Sequence, residues 1–203
     1  MGSMATAARL RTLVGLALLS LFPVGSTLAA EFQRLDVSED GGIYHIDASL
    51  FVDAPREAVV EALLDFEAQK AISPPIRAIR VVGSQPDGAT LVEIVTEICI
   101  GIFCANVKQL QVVRFVPPGL VSATAIREGS DVRSAHVDVE VTAEDGRTLV
   151  HIQCTVQPLR KRPFFVPRGW VLSALHHQAR QSAAGLEALA SRIAARPAPA
   201  PDE

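Results

Sequence analysis

Apolar and polar positions alternate with a period of two from Ile43 to Val52. Tyr44, Ile46, Ala48, Leu50 and Val52 share one face there, and His45, Asp47, Ser49 and Phe51 share the other. That pattern predicts a half-buried strand. Asp53-Ala54-Pro55-Arg56-Glu57 breaks the period. Proline suits the first turn of a helix and Glu57 suits the positive end of its dipole. Ala58, Val59, Ala62, Leu63 and Phe66 then follow at helical spacing. This helix fails by Ser73-Pro74-Pro75, with room for a second short one between Phe66 and Ser73. Six more strands are predicted at Arg77–Gly83, Thr90–Cys99, Cys104–Val116, Leu120–Arg127, Val132–Ala143 and Arg147–Pro158. Their Gly-, Pro- and Asp-rich connections are too short for parallel neighbours, so the sheet is expected to be antiparallel. From Pro167 the helical period returns, with Leu172, Leu175, Ala179, Ala183, Leu186, Ala190 and Ile193 on one stripe. Gly185 interrupts this helix at a cost of ~1 kcal/mol against Ala, which suggests a close neighbour at that point.

The expected fold class is α+β. A seven-stranded antiparallel curved sheet wraps around a long C-terminal helix, with one or two short helices after the first strand. Residues 31–42 read as a polar lead-in closed by Gly41-Gly42, and 195–203 as a frayed Pro/Ala tail. The folded domain is expected over 43–194.

Composition changes this picture in three ways. Residues 1–30 contain no acid, carry Arg9 and Arg11, and hold the apolar run Leu13–Phe22 followed by Pro23, Gly25 and the small-residue stretch Thr27-Leu28-Ala29-Ala30. This is the pattern of a secretory signal peptide, too short for the ~20 residues that span a bilayer. The chain is therefore expected to be exported, with the periplasm as its compartment and secretion or anchoring as alternatives. Of 19 Lys and Arg, all but Arg9 and Arg11 follow residue 30, against all 22 acids. That balance excludes a general nucleic-acid binder, which needs a basic footprint. Finally, the chain is 49% hydrophobic but only 5% aromatic. A curved sheet around one helix with few bulky side chains to fill it points to an apolar cavity.

The run Leu50-Phe51-Val52-Asp53-Ala54-Pro55-Arg56-Glu57-Ala58-Val59-Val60-Glu61-Ala62-Leu63-Leu64-Asp65-Phe66-Glu67 resembles the opening of the START-like (SRPBCC) superfamily. That group includes polyketide cyclase/dehydrase and lipid-transport proteins. The shared features are a strand ending in an apolar residue, Ala-Pro, a helix, an Asp-Phe pair, and prolines leading into the next strand. The stretch Ala68–Pro74 lacks the aromatics usual there. The resemblance implies a helix-grip fold and an apolar cavity between sheet and C-terminal helix, used for lipids, sterols, polyketides or quinones. Val92, Ile94, Ile98, Val137, Val139 and Val141 are then the candidate sheet lining, and Trp170, Leu172 and Leu175 the candidate helix lining.

The remaining chemistry is sparse. Cys99 and Cys104 flank a four-residue connection between strands, within reach of each other across a hairpin. In an oxidising compartment they are expected to form a disulfide, worth about 2 kcal/mol through loop-closure entropy. Cys154 alternates with apolar residues and reads as a small buried hydrophobe. His136 and His151 lie on polar strand faces, while His176 and His177 are adjacent and point to different sides of the helix. No metal or cofactor is expected, since two Cys without a nearby His are too few ligands and no nucleotide or nucleophile motif occurs. Glu93 and Glu97 are expected outside, while Lys108 and Arg114 could face either way. Arg160-Lys161-Arg162-Pro163-Phe164-Phe165 precedes the helix and suits a lipid head group or anionic membrane surface. The alternative is that Phe164, Phe165 and Trp170 plug the end of the core. The leading expectation is an exported protein that binds a hydrophobic small molecule or lipid. A cyclase- or dehydratase-type enzyme and an envelope interaction module with a filled core are its rivals.

Overall fold

The computed structural model describes residues 31–160 and 162–197, so the expected signal segment, Lys161 and residues 198–203 lie outside the described residues. Eight strands and three helices follow in the order β1 (Glu31–Asp40), β2 (Ile43–Val52), α1 (Arg56–Leu64), α2 (Gln69–Ile72), β3 (Ile76–Ser84), β4 (Thr90–Ile100), β5 (Phe103–Val116), β6 (Leu120–Ile126), β7 (Val132–Glu144), β8 (Arg147–Pro158) and α3 (Arg168–Ala194). All strands join one sheet in the order β1-β2-β8-β7-β6-β5-β4-β3, antiparallel throughout.

The sheet has eight strands where seven were expected, because the polar lead-in is itself strand β1. Its register shifts between Phe32 and Arg34, which breaks the period of two that a sequence pattern needs. As an edge strand it also half-buries only one row, Phe32, Leu35, Val37 and Glu39. Gly41 and Gly42, with φ of 58° and 86°, make the two-residue turn into β2 that requires left-handed backbone at both positions.

The features shared with the START-like opening have local structural roles. Pro55 is the N-cap of α1, and the carbonyl of Ala54 accepts a 2.6 Å hydrogen bond from the buried hydroxyl of Thr148. At the far end of α1, the Asp65 carboxylate accepts from the backbone N–H of Glu67 and Ala68 at 3.1 and 3.0 Å, turning the chain toward α2. Phe66 packs against the core.

The core lies at one end of the concave sheet face. Leu50, Val52, Val92, Val113, Val121, Val139, Val141 and Val150 meet α1 and the C-terminal half of α3, where Ala183, Leu186, Leu189, Ala190 and Ile193 are buried. At Gly185 a Cβ would stand 2.3 Å from the Ile72 carbonyl oxygen and 2.7 Å from its Cα. The glycine therefore lets the backbone of α2 rest directly on α3. Substituting Gly185→Ala should cost roughly 1–3 kcal/mol despite the better helix propensity of Ala, because backbone must move to admit the methyl. Urea denaturation of the two proteins side by side checks this, and a stabilised variant would contradict the contact.

Candidate functional site

Packing changes along the concave face. Beyond the core, toward the end where β2 begins and β8 ends, most of the inward row is half-buried (Tyr44, Ile46, Ile152, Cys154, Val156, Val137, Ala123, Ile94 and Ile98), while Ala135 opposite Val156 stays buried. The helix above shows the same change. Val171 and Ala183 are buried, but no residue of 172–182 is, although Leu175 and Ala179 continue the inward stripe. Over these three turns α3 is nowhere fully buried, in contrast to its C-terminal part. A shallow open groove of about 440 Å³ lies on the flank of this stretch, lined by Leu172, Ser173, His176, His177 and Arg180 of α3 and by no sheet residue. The flank is tied to β1 at both ends, by Arg168 Nε to Glu39 Oε2 at 2.9 Å and by Arg180 stacked 5.9 Å over the Phe32 ring.

The expected lining residues divide accordingly. Val92, Val139 and Val141 sit inward but within the closed core. Ile94 and Val137 stand half-buried at its margin, with Ile98, Leu172 and Leu175 half-buried farther along. Trp170 is exposed at the start of α3, its ring 3.9 Å from where a Cβ on Gly101 would be.

Polar groups along this stretch were only partly legible. β5 presents Gln109 and Gln111 inward, since Gln111 pairs with Val92 and Gln109 with Ile94, and the two amides hydrogen-bond at 2.9 Å. The expected ambiguity of this strand resolves with Lys108 and Arg114 outward, bonded to Glu93 at 2.8 Å and Asp87 at 2.7 Å. Glu93 also pairs with Arg80 and Glu97 with Arg77, so both acids are outside. At the open end Tyr44 stands beside Glu39 and Arg162, and burial, with the Glu39 charge, raises its pKa against the lowering effect of Arg162 and Arg168. Burial alone pushes the Cys154 thiol up to about 11, which leaves it unreactive.

The convex face carries the other histidines. Ser49 Oγ lies 3.3 Å from His151 Nδ1, and His151 Nε2 lies 3.8 Å from Asp47 Oδ1. The composition is that of a nucleophile, base and acid, but 3.8 Å is not a hydrogen bond. Strand N–H groups there are spent on the sheet ladder, so none converges on an oxyanion. A parallel cluster places His136 between Thr124 at 2.9 Å and Asp138 at 3.0 Å. Cys99 and Cys104 pair directly across β4 and β5 and form the disulfide, with Cα atoms 4.0 Å apart. Glu97 lies close to both sulfurs, but these are bonded to each other and are not thiolate ligands.

A protein of Thermus thermophilus superposes on this chain with a TM-score of 0.61 at 18% identity, over 73% of this chain and 97% of its own. A START superfamily protein from Mycobacterium smegmatis matches with a TM-score of 0.58 at 16% identity, over 73% and 98%. The fold is the START-like helix-grip fold. The Zhui aromatase/cyclase of Streptomyces sp. R1128 shares it, with a TM-score of 0.56 at 16% identity over 74% and 93%. No protein-family profile and no curated sequence matches the chain. At these identities the START-like relatives speak for the fold.

Within this helix-grip fold one buried acid fastens α3. Glu187 is 8% exposed and accepts the Asp53 N–H at 3.1 and 3.3 Å through its two carboxylate oxygens. Burial raises its pKa, with the Asp53 charge adding to the effect. A raised folded value means that the native state holds the proton more tightly than the unfolded chain. Its contribution to stability is then complete at acid pH and is lost as pH rises through that raised value. Glu187→Gln keeps an acceptor for Asp53 without the charge. The variant should melt above the parent at neutral pH and lose that advantage below the ordinary carboxylate range. Calorimetry across pH measures the difference, and a parallel pair of curves would contradict it.

Proposed function

We propose that the protein is a carrier or binder that holds a hydrophobic small molecule or lipid between the concave sheet face and residues 172–182 of α3. The observation that carries this reading is the loss of full burial along residues 172–182 of α3 and along most of the inward sheet row at the same end, Ala135 excepted. Natural interiors are close-packed, so a core that ends while apolar side chains continue leaves surface for an apolar guest. Ile94, Ile98, Val137, Leu172 and Leu175 supply the apolar contact, while Gln109, Gln111 and Tyr44 supply the few polar groups that would orient a head or ring substituent. Export belongs to the same reading, on the signal-peptide pattern of residues 1–30 and the disulfide. So does contact of the Arg160–Phe165 segment with lipid head groups.

One observation favours a cyclase- or dehydratase-type enzyme instead. Tyr44 is a titratable group with a perturbed pKa at the open end of this space. A phenol held protonated, with burial the largest cause, can orient a carbonyl, which serves binding as well as it serves catalysis.

Native mass spectrometry of protein purified from its own host, followed by solvent extraction, tests the binding reading. A stoichiometric hydrophobic molecule is expected, with occupancy strongly reduced in Val137→Phe, which fills the space from the sheet side. A protein that is empty from its own host, with the variant indistinguishable from the parent, would overturn it. Intact mass in the same experiment reports whether the chain begins at Glu31.

A further inference from the structure

Of the exposed large hydrophobic residues, Ile102, Leu159, Phe164, Phe165 and Trp170 all lie at the open end of the sheet. They come from two places far apart in sequence. Ile102 is the tip of the β4–β5 hairpin and is 90% exposed. Phe164, 97% exposed, sits in the segment between β8 and α3, and Trp170, 56% exposed, begins the helix. Topology brings them together, because β4 ends, β5 begins and β8 ends at the same edge as the start of α3. The Trp170 ring lies over Gly101 beside Ile102. Phe164, Phe165 and Trp170 therefore do not plug the core.

Arginines gather at this end, although the whole chain carries −3. Arg127, Arg133 and Arg160 are exposed without an ion-pair partner among the described residues. Arg162 and Arg168 stand nearby but are engaged, by Tyr44 and the Val166 carbonyl and by Glu39. Among the described residues the acids at this end are Glu39, Asp40, Glu128 and Asp131, the last accepting the Lys108 N–H at 3.0 Å. Apolar prongs at an end that carries exposed arginines without ion-pair partners suit a bilayer interface with anionic head groups, where side chains insert and cations stay at the phosphates.

We propose that the open end docks on an anionic lipid surface through two prongs, the Ile102 hairpin tip and the Phe164–Trp170 segment. The Cys99–Cys104 disulfide, one residue pair below the tip, holds the first prong in its projecting form. The inference rests on the ligand-binding reading for its purpose, since docking would set the space under α3 against the bilayer. Its geometry stands apart from that reading.

Trp170 is the single tryptophan, so its emission reports on this surface alone. The purified protein is titrated with vesicles of phosphatidylcholine and with vesicles of phosphatidylcholine mixed with phosphatidylglycerol. The expected result is a blue shift on the mixed vesicles, with quenching by brominated acyl chains. Ile102→Asp and Phe164→Asp, both at positions too exposed to disturb the fold, should each weaken vesicle binding about tenfold or more. Cys99→Ser/Cys104→Ser should weaken it several-fold with an unchanged far-ultraviolet spectrum. Unchanged emission on mixed vesicles, or aspartate variants that bind like the parent, would overturn the proposal. An equal shift on uncharged vesicles would overturn the part played by the arginines. A blue shift that grows with protein concentration alone assigns the surface to a second copy and overturns it too. Native mass spectrometry on the same preparation separates the two readings. A bound hydrophobe without vesicle binding sinks only the docking, and vesicle binding by an empty protein sinks only the carrier role.

Discussion

A straight helix laid on a curved sheet can pack tightly along only part of its length, and α3 is fastened at its C-terminal part. Twenty-seven residues make it about 40 Å long, more than the concave face can follow. Three contacts decide which part is held. Leu186, Ala190 and Ile193 enter the core, Gly185 admits the backbone of α2, and Glu187 takes the Asp53 N–H. The other half of the helix has no such fastening, and no residue between Val171 and Ala183 is fully buried. The small helices matter for this reason: α1 and α2 form the clamp that packs against this end of α3.

The same constraint sorts the side-chain chemistry. Residues facing the clamp are aliphatic and dry, apart from Thr148 and Glu187, each with a named hydrogen-bond partner. Buried polar groups elsewhere would cost more than the fold can spare. Toward the open end, water reaches the walls, so Gln109, Gln111 and Tyr44 can face inward without full satisfaction from the protein. The convex face, by contrast, is a solvated array of His, Asp, Ser and Arg whose members pair across strands. Such pairs contribute little stability at exposed positions. A Ser, a His and an Asp adjacent on a flat sheet therefore do no more than keep that face wetted, because nothing there gathers donors around a reacting oxygen.

Much of this was readable from the residues themselves. The strand and helix periods located β2 through β8, α1 and α3, and the Leu50–Glu67 run pointed to the helix-grip fold. The direct cross-strand placement of Cys99 and Cys104 and the close approach at Gly185 were also legible. β1 was not, because a bulge and an edge position removed the two signals that a strand leaves in sequence. The direction of β5 was ambiguous for a related reason. Leu110 and Val112 on one face and Val107 and Val113 on the other make both rows half apolar, and only the register with β4 decides between them.

The sequence by itself determined which residues must be hidden, since alternation and helical stripes are local consequences of backbone geometry. It also determined that there were too few bulky side chains to hide everything behind. Tertiary structure alone decided where the deficit would fall. Val92, Val139 and Val141 belong to the same rows as Ile94 and Val137, yet lie in dry core, because the clamp of α1 and α2 presses α3 onto that end. Ile102 and Phe164 are more than sixty positions apart in a chain whose local pattern says nothing of their meeting. Only the order of strands in the sheet, a property of long-range pairing, sets them on one surface beside Trp170.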